Sequence, residues 1–180
     1  MWLEIFRRYL AMFLIGNIIK WLDDEVDGDH SGYEFFKGGK YPYSLLFLAL
    51  ALLLDLYYSY SLFTAAYMIG MFHIPLQRLP FGLKSYQEMI LLVIISLTLV
   101  PWRIFFHSII LITTIQLMDD LYDYSYDFRM GFQNYAITFG RGEVLIATLL
   151  LMVMAFMISW MNTIIILQMA IFINHLYCHR

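Results

Sequence analysis

Charge is what this chain has least of. Charged residues make up 14% of its 180 residues, against about 25% in ordinary soluble domains. The formal net charge is −3 and no block of Lys or Arg occurs, which excludes the electrostatic footprint of a nucleic-acid binder. Cysteine is nearly absent as well: Cys178 stands alone, so no internal disulfide staples the chain. Beyond Gly38-Gly39 there is no linker-like or low-complexity segment, and residues 1–180 read as a single domain. Arg7 and Arg8 are followed by the polar stretch 20–34 without a small-residue cleavage site, so no cleavable signal peptide is expected. Runs such as Ile90–Val100 and Leu145–Ile158 lack strict alternation, which excludes a transmembrane β-barrel.

What fills the space is apolar. Hydrophobic residues reach 62% and the mean hydropathy is +0.70. Apolar segments run 3–22, 43–57, 59–74, 86–100, 102–118, 143–160 and 161–177, and the expected fold is an all-α integral membrane bundle of about seven transmembrane helices, several near the short limit for spanning. The connections alternate. Stretches 23–42, 75–85 and 119–142 are long and polar, whereas those near Tyr57–Ser61, Val100–Arg103 and Trp160–Asn162 are tight and aromatic, as interfacial turns are. Seven spans place all three polar stretches on one side, together with Lys20, Lys37, Lys40, Arg78, Lys84, Arg129, Arg141 and Arg180. Only Arg7, Arg8 and Arg103 fall opposite, so the polar side is expected to face the cytoplasm, with the plasma membrane as the expected location. Arg7 and Arg8 interrupt the first segment, which makes it the weakest span.

Two acidic clusters mark the ends of apolar runs: Asp23-Asp24-Glu25-Val26-Asp27 and Asp119-Asp120-Leu121-Tyr122-Asp123, each reading D-D-x-x-D. Carboxylates this close repel one another unless protons or cations intervene. In the second cluster Asp120, Asp123 and Asp127 are spaced i, i+3, i+7, which places all three on one helical face, with Asp119 next to that face. In the first, Asp24 and Asp27 share a face, Asp23 and Asp27 form an i, i+4 pair, and Ser31 takes the place that Asp127 fills in the second. Hard oxygen ligands of this kind suit Mg²⁺, which bridges carboxylates to substrate phosphates and acts as a Lewis acid on a departing diphosphate. Lys37, Lys40, Arg78, Arg129 and Arg141 on the same side would complete charge neutralisation. A single acidic run also serves as a solvated helix cap; two of matching pattern with basic stretches between them point to a site.

The run Asp120-x-x-Asp123-x-x-x-Asp127-Phe-Arg129-Met-Gly131, continuing to Asn134 and Phe139-Gly140-Arg141, resembles the UbiA-type intramembrane prenyltransferase superfamily. Asp23-Asp24-x-x-Asp27-x-x-x-Ser31 is similar to that family's first motif, with Asp23 where the family has Asn and Ser31 where it has its last Asp. Phe36-Lys37-Gly38-Gly39-Lys40-Tyr41-Pro42 and Pro75-Leu76-Gln77-Arg78-Leu79-Pro80 are similar to its basic segments. The resemblance covers residues 15 to 160 and lacks the first and last of the family's usual nine spans. It implies that Asp24, Asp27, Asp120, Asp123 and Asp127 coordinate Mg²⁺ around a prenyl diphosphate, with Asp23 and Asp119 completing the ligand set. It implies diphosphate contacts from Lys37, Lys40, Arg78, Arg129 and Arg141. The implied activity is prenyl transfer to an aromatic or lipid acceptor. Internal capture, as in a terpene cyclase, is the alternative, because the motifs report the leaving group and not the nucleophile.

Two further readings stand beside it. Asp24-x-x-Asp27-Gly28 is similar to the CDP-alcohol phosphotransferase motif, without that family's Ala-Arg and G-x-x-x-D-x-x-x-D continuation. A non-catalytic cation or lipid binder on the same scaffold is the other. Aromatic residues at 18% and 12 methionines would line a prenyl chamber, though packing and lipid contact use the same side chains. Tyr57, Tyr58, Tyr60, Trp102 and Trp160 read as an interfacial belt. Asp55 is either functional or snorkelling, His73 and His107 are bases or satisfied structural histidines, and His175 and His179 support no metal site.

Overall fold

The structure, a computed structural model, describes residues 2–26, 40–72, 84–132 and 134–178; of residues 23–26, 40, 71, 72 and 178 it describes the backbone alone. These residues form helices and their connections: α1 (Trp2–Val26), α2 (Lys40–Leu54), α3 (Leu56–Phe72), α4 (Ser85–Leu99), α5 (Trp102–Tyr122), α6 (Tyr124–Met130), α7 (Tyr135–Phe139) and α8 (Arg141–Cys178). No strand occurs among the described residues, so the all-α fold class stands.

The breaks have local causes. Val100 is extended and Pro101 follows, which ends α4; Pro101, having no N–H to lose, starts α5. Gly131 closes α6 in the left-handed region at φ 74°. Asn134 caps α7, its Oδ1 accepting from Ala136 N at 2.7 Å and Ile137 N at 3.2 Å. Asp55 separates α2 from α3 and accepts from Tyr58 N at 3.3 Å. Ser159, extended at φ −160° and ψ 91°, divides α8. An unbroken helix of 38 residues would measure about 57 Å, far longer than a bilayer core is thick, whereas each half is roughly 27 Å long.

α8 is a hairpin. It begins with Arg141 against the Tyr124 ring, just beyond the end of α5, and its second half returns Asn174 to Asp119 and Tyr177 to Asn17 at that same end. Long helical rods therefore run up and down between two ends. One end carries the turns at Asp55, Val100–Pro101 and Ser159; the other, called here the carboxylate end, carries the end of α1, the end of α5 and the short helices α6 and α7. α5 is central, packed on α3 and α8, while α1 packs on α2 and α8. Met12, Ile15, Ile18, Leu62, Leu111, Ala155, Ile165 and Ile166 form the core between them. Gly16 lets α1 approach the returning half of α8, since a Cβ there would collide with Ile173.

α1 continues through Val26 and α5 through Tyr122, past the apolar segments that end at 22 and 118, so Asp23, Asp24, Asp119 and Asp120 lie in the last helical turns, as their helical-face spacing implied. The last turn falls at Ser159, just before Trp160–Asn162. α6 and α7 arise within a stretch read as a polar connection. Two helices, α5 and α8, are long and apolar enough to cross a membrane by length and composition; α2 and α4 are apolar but shorter, and seven spans do not follow from length and composition.

Candidate functional site

The carboxylate end is assembled where α1 and α5 stop. Both helices point their C-terminal ends at it, and the last turns carry Asp23 and Asp24 on α1 and Asp119 and Asp120 on α5. A helix C-terminus is the negative end of the macrodipole, so aspartates are disfavoured there; acidic caps belong at the opposite end of a helix. A solvated-cap explanation therefore does not suit these positions, and a nearby cation does.

The second cluster is not one helical face. α5 ends at Tyr122, and Asp123 sits at the junction with φ −89° and ψ 5°, its N–H donating to Asp119 O at 2.8 Å. Asp127 then falls in the first turn of α6, where the helix dipole favours it. The i, i+3, i+7 face expected from spacing is thus broken at its middle member. Asn134 and Tyr135 rejoin its two ends. Asn134 Nδ2 donates to Asp127 Oδ2 at 2.7 Å and to Asp120 O at 2.8 Å, while Tyr135 N donates to Asp120 Oδ2 at 2.8 Å. Asn134 is 4% exposed and Asp120 9%, so these are enclosed polar contacts. Each amide orients its carboxylate through one oxygen.

Asp123 carries the electrostatic signature of the site. Burial pushes its carboxyl up from the usual range, the Asp127 charge pushes the same way, and Lys20 of α1 opposes both. Tyr177 and Asn174 of the returning half of α8 bond Asn17 of α1 and Asp119 of α5, which puts the ends of α1 and α5 on one end of the bundle, and Asp24 follows Lys20 by one helical turn. Asp119 Oδ1 accepts from Asn174 Nδ2 at 3.4 Å. Arg129 donates through Nε to Ser125 O at 3.0 Å, and Arg141 lies over the Tyr124 ring at 4.9 Å, so these cations engage a carbonyl and a ring at the rim of the cluster. Asp27, Lys37 and Arg78 lie outside the described residues, as do the side chains of Asp23, Asp24 and Lys40. Among the described residues no three His, Cys, Asp or Glu side chains converge enough to hold a metal ion. α5 and α6 alone do not make a closed cage.

Two contributors were not singled out by sequence. Asn134 entered only as a motif continuation, although a lone Asn before a short apolar helix is an N-cap signal that could have found it. Lys20 was counted for topology alone; its i−4 relation to Asp24 was the available clue.

The polar side chains at the turn end form a separate network. Arg8 and Asp55 make an ion pair with Nε to Oδ2 at 3.5 Å, and Arg8 also donates to Asn162 Oδ1 at 3.0 Å. Asn162 Nδ2 donates to Tyr58 Oη and to Ser159 Oγ, both at 2.8 Å. His107, fully buried, lies between Tyr58 Oη at 3.4 Å and Thr163 Oγ1 at 2.9 Å. Asp55 is thus neither an isolated acid nor a snorkelling one, and His107 is a satisfied structural histidine. His73 lies outside the described residues. Comparisons with protein-family models, with curated proteins and with solved structures give no match.

Proposed function

We propose that this chain is a multi-pass membrane enzyme that ionises an isoprenyl diphosphate at the carboxylate end and transfers the prenyl group to an aromatic or lipid acceptor. The observation that carries it is the placement of aspartates at the C-terminal ends of α1 and α5, on the same end of the bundle, where Asn17 of one helix and Asp119 of the other are both hydrogen-bonded to the returning half of α8. Carboxylates held where the helix dipoles oppose them, and buried enough to raise Asp123, suit a bound cation and an anionic substrate.

Mg²⁺ fits the donor chemistry. Asp120 and Asp127 are oriented by amides through one oxygen each, and Asp123 is crowded by like charge. Asp119, Asp120, Asp123 and Asp127 from α5 and α6, with Asp23, Asp24 and Asp27 from the first motif, would hold it. When bound, Mg²⁺ would supply Lewis-acid neutralisation of the departing diphosphate. Arg129 and Arg141, at the rim, would bind the diphosphate directly, as would Lys37, Lys40 and Arg78.

Exposed side chains support a membrane location with more than two spans. Trp2, Tyr57, Trp102 and Trp160 are exposed at the turn end, and Tyr41, Tyr43, Tyr86, Tyr122 and Phe139 at or near the carboxylate end. Between them lie exposed aliphatic residues on α2, α4 and α8, including Leu46, Leu50, Ile90, Ile94, Leu149 and Val153. The first half of α8, from Arg141 to the break at Ser159, covers about 27 Å, near the thickness of a hydrocarbon core, with Phe139 just before it and Trp160 just after it, and aromatic girdles at that separation are what interfaces select. Lys20, Lys84, Arg129 and Arg141 on the carboxylate side favour the cytoplasm for it.

The test is incubation of purified protein and Mg²⁺ with geranyl, farnesyl and geranylgeranyl diphosphates, with and without a phenolic or lipid acceptor. Prenylated acceptor is the expected product. Cyclic hydrocarbon or alcohol without acceptor would assign the terpene cyclase instead, and no pyrophosphate release from any of them would reject diphosphate ionisation.

A further inference from the structure

The network at the turn end follows from its donors and acceptors. Thr163 Oγ1 donates to Ser159 O at 2.8 Å and to Ala155 O at 3.0 Å, so its one proton is committed to carbonyls and its lone pair must accept from His107 Nε2. With Nε2 facing Thr163, the other ring nitrogen, Nδ1, faces Tyr58 Oη at 3.4 Å, so the ring bridges the two hydroxyls. Tyr58 Oη in turn accepts from Asn162, whose Oδ1 accepts from Arg8. α1, α3, α5 and the returning half of α8 are joined in one continuous chain of hydrogen bonds. It ends on the Ala155 and Ser159 carbonyls that flank the break, and Arg103 adds a contact there, donating to Ile158 O at 3.3 Å. In an apolar surrounding a broken helix persists only where its freed backbone groups find such partners.

We infer that Arg8, Asp55, Tyr58, His107, Asn162 and Thr163 form a clasp that fixes the α8 hairpin and thereby sets the geometry of the carboxylate end. The second half of α8 carries Asn174 to Asp119 and Tyr177 to Asn17, and from His107 to Asp120 along α5 is about 20 Å. The turn is restrained because its members pair with one another across four helical segments, and two packed rods leaving such a turn hold their register over that distance. The clasp is independent of whether the carboxylates bind magnesium and a diphosphate.

The experiment uses the full chain in lipid nanodiscs with Cys178→Ser and spin labels at Tyr122→Cys and Leu176→Cys, both exposed at the carboxylate end. A second pair, at Tyr43→Cys and Gly70→Cys, reports on α2 and α3 as a control. The wild-type clasp should give one narrow distance distribution for each pair. Thr163→Val, which removes a hydroxyl at nearly constant shape, should broaden the 122–176 distribution about twofold and leave 43–70 unchanged. Thr163→Ser should restore the narrow distribution. Asn162→Leu with Thr163→Val should broaden it further. If that double variant does not accumulate, the Val and Ser single variants decide alone. An unchanged 122–176 distribution in Thr163→Val, the same broadening in Thr163→Ser, or equal broadening of both label pairs would overturn the clasp.

Discussion

The two ends of the bundle treat polar groups in opposite ways. At the turn end Arg8 is paired with Asp55, and Tyr58, His107, Asn162 and Thr163 are joined in one chain of hydrogen bonds. At the carboxylate end, aspartates gather at helix C-termini, two of them held by amides, and Asp123 feels more repulsion than attraction. A network whose members pair with one another adds stability and has little to offer a ligand. A crowded acidic cluster costs stability and is kept where a function needs it. Substitutions should therefore separate along the bundle axis: activity lost at one end, stability lost at the other.

The largest effect expected is at Asp123. Asp123→Ala should lower Mg²⁺-dependent pyrophosphate release by roughly 10²-fold or more, with the melting temperature unchanged or slightly raised. Asp24→Ala should behave alike. Wild-type turnover in either would remove the carboxylates from the reaction. A fall in activity matched by loss of folded protein would place them in the scaffold instead, and the two ends would no longer differ.

Asn134 sharpens the comparison because it belongs to both kinds of chemistry. Its Oδ1 caps α7 and its Nδ2 orients Asp127. Asn134→Ser keeps a cap and loses the amide donor, so stability should fall by less than about 1 kcal/mol. The Mg²⁺ concentration for half-maximal activity should rise on the order of 10-fold, the usual size of an outer-shell effect. A melting curve and a Mg²⁺ titration on the same preparation check both. A lower maximal rate with an unaltered Mg²⁺ midpoint would deny Asn134 its orienting role.

At the turn end the two hairpins invite a finer contrast. Ser59 Oγ donates to Ala51 O across the break at Asp55 at 2.9 Å, and Thr163 Oγ1 donates to Ala155 O across the break at Ser159 at 3.0 Å. Each hairpin has a fully buried alanine, a break four residues on and a hydroxyl four residues after that. Thr163 also receives His107, and Ser59 has no such second role. Thr163→Val should cost about 1–2 kcal/mol and Ser59→Ala about 0.6 kcal/mol, the latter near the average for hydrogen bonds between membrane helices. Equal losses would mean that His107 contributes nothing through Thr163.

Those hairpins also show why parts of the molecule were legible and parts were not. The long helices follow from apolar runs bounded by polar or aromatic stretches, since burial of apolar area fixes them without reference to partners. The turn at Ser159 was found within a residue or two for the same reason. The likeness of residues 51–59 to 155–163 was not visible, because only a small residue and a hydroxyl are shared, and their meaning appears when the chain reverses. The carboxylate clusters were conspicuous as composition. Their interruption at Asp123, and the amides that reunite Asp120 with Asp127, depend on α7 folding back from Gly131, a tertiary event that periodicity does not encode. Asp55 and His107 looked like candidates for chemistry because their partners, Arg8 and Thr163, are distant in sequence.

The smallest expected effect concerns pH at Asp123. Its carboxyl is raised in the folded chain, first by burial and then by Asp127. Below the ordinary carboxylate value of 3.8 it is protonated in both folded and unfolded chains, and no penalty applies. As the pH rises through 3.8 and then the higher folded value, the unfolded chain releases its proton more readily, and folding loses stability. Asp123→Asn removes that loss. Without divalent cation the variant should therefore melt about 1–3 °C above wild type at pH 7 and at the same temperature near pH 3.5, as followed by thermal denaturation in detergent. Mg²⁺ at pH 7 should raise the wild-type melting temperature by more than the variant's, since the substitution has already removed the repulsion between Asp123 and Asp127 that the cation relieves. A variant that melts lower than wild type at pH 7 would mean that the Asp123 charge is already balanced, with Lys20 outweighing burial and Asp127, and the carboxylate end would then be as self-contained as the turn end.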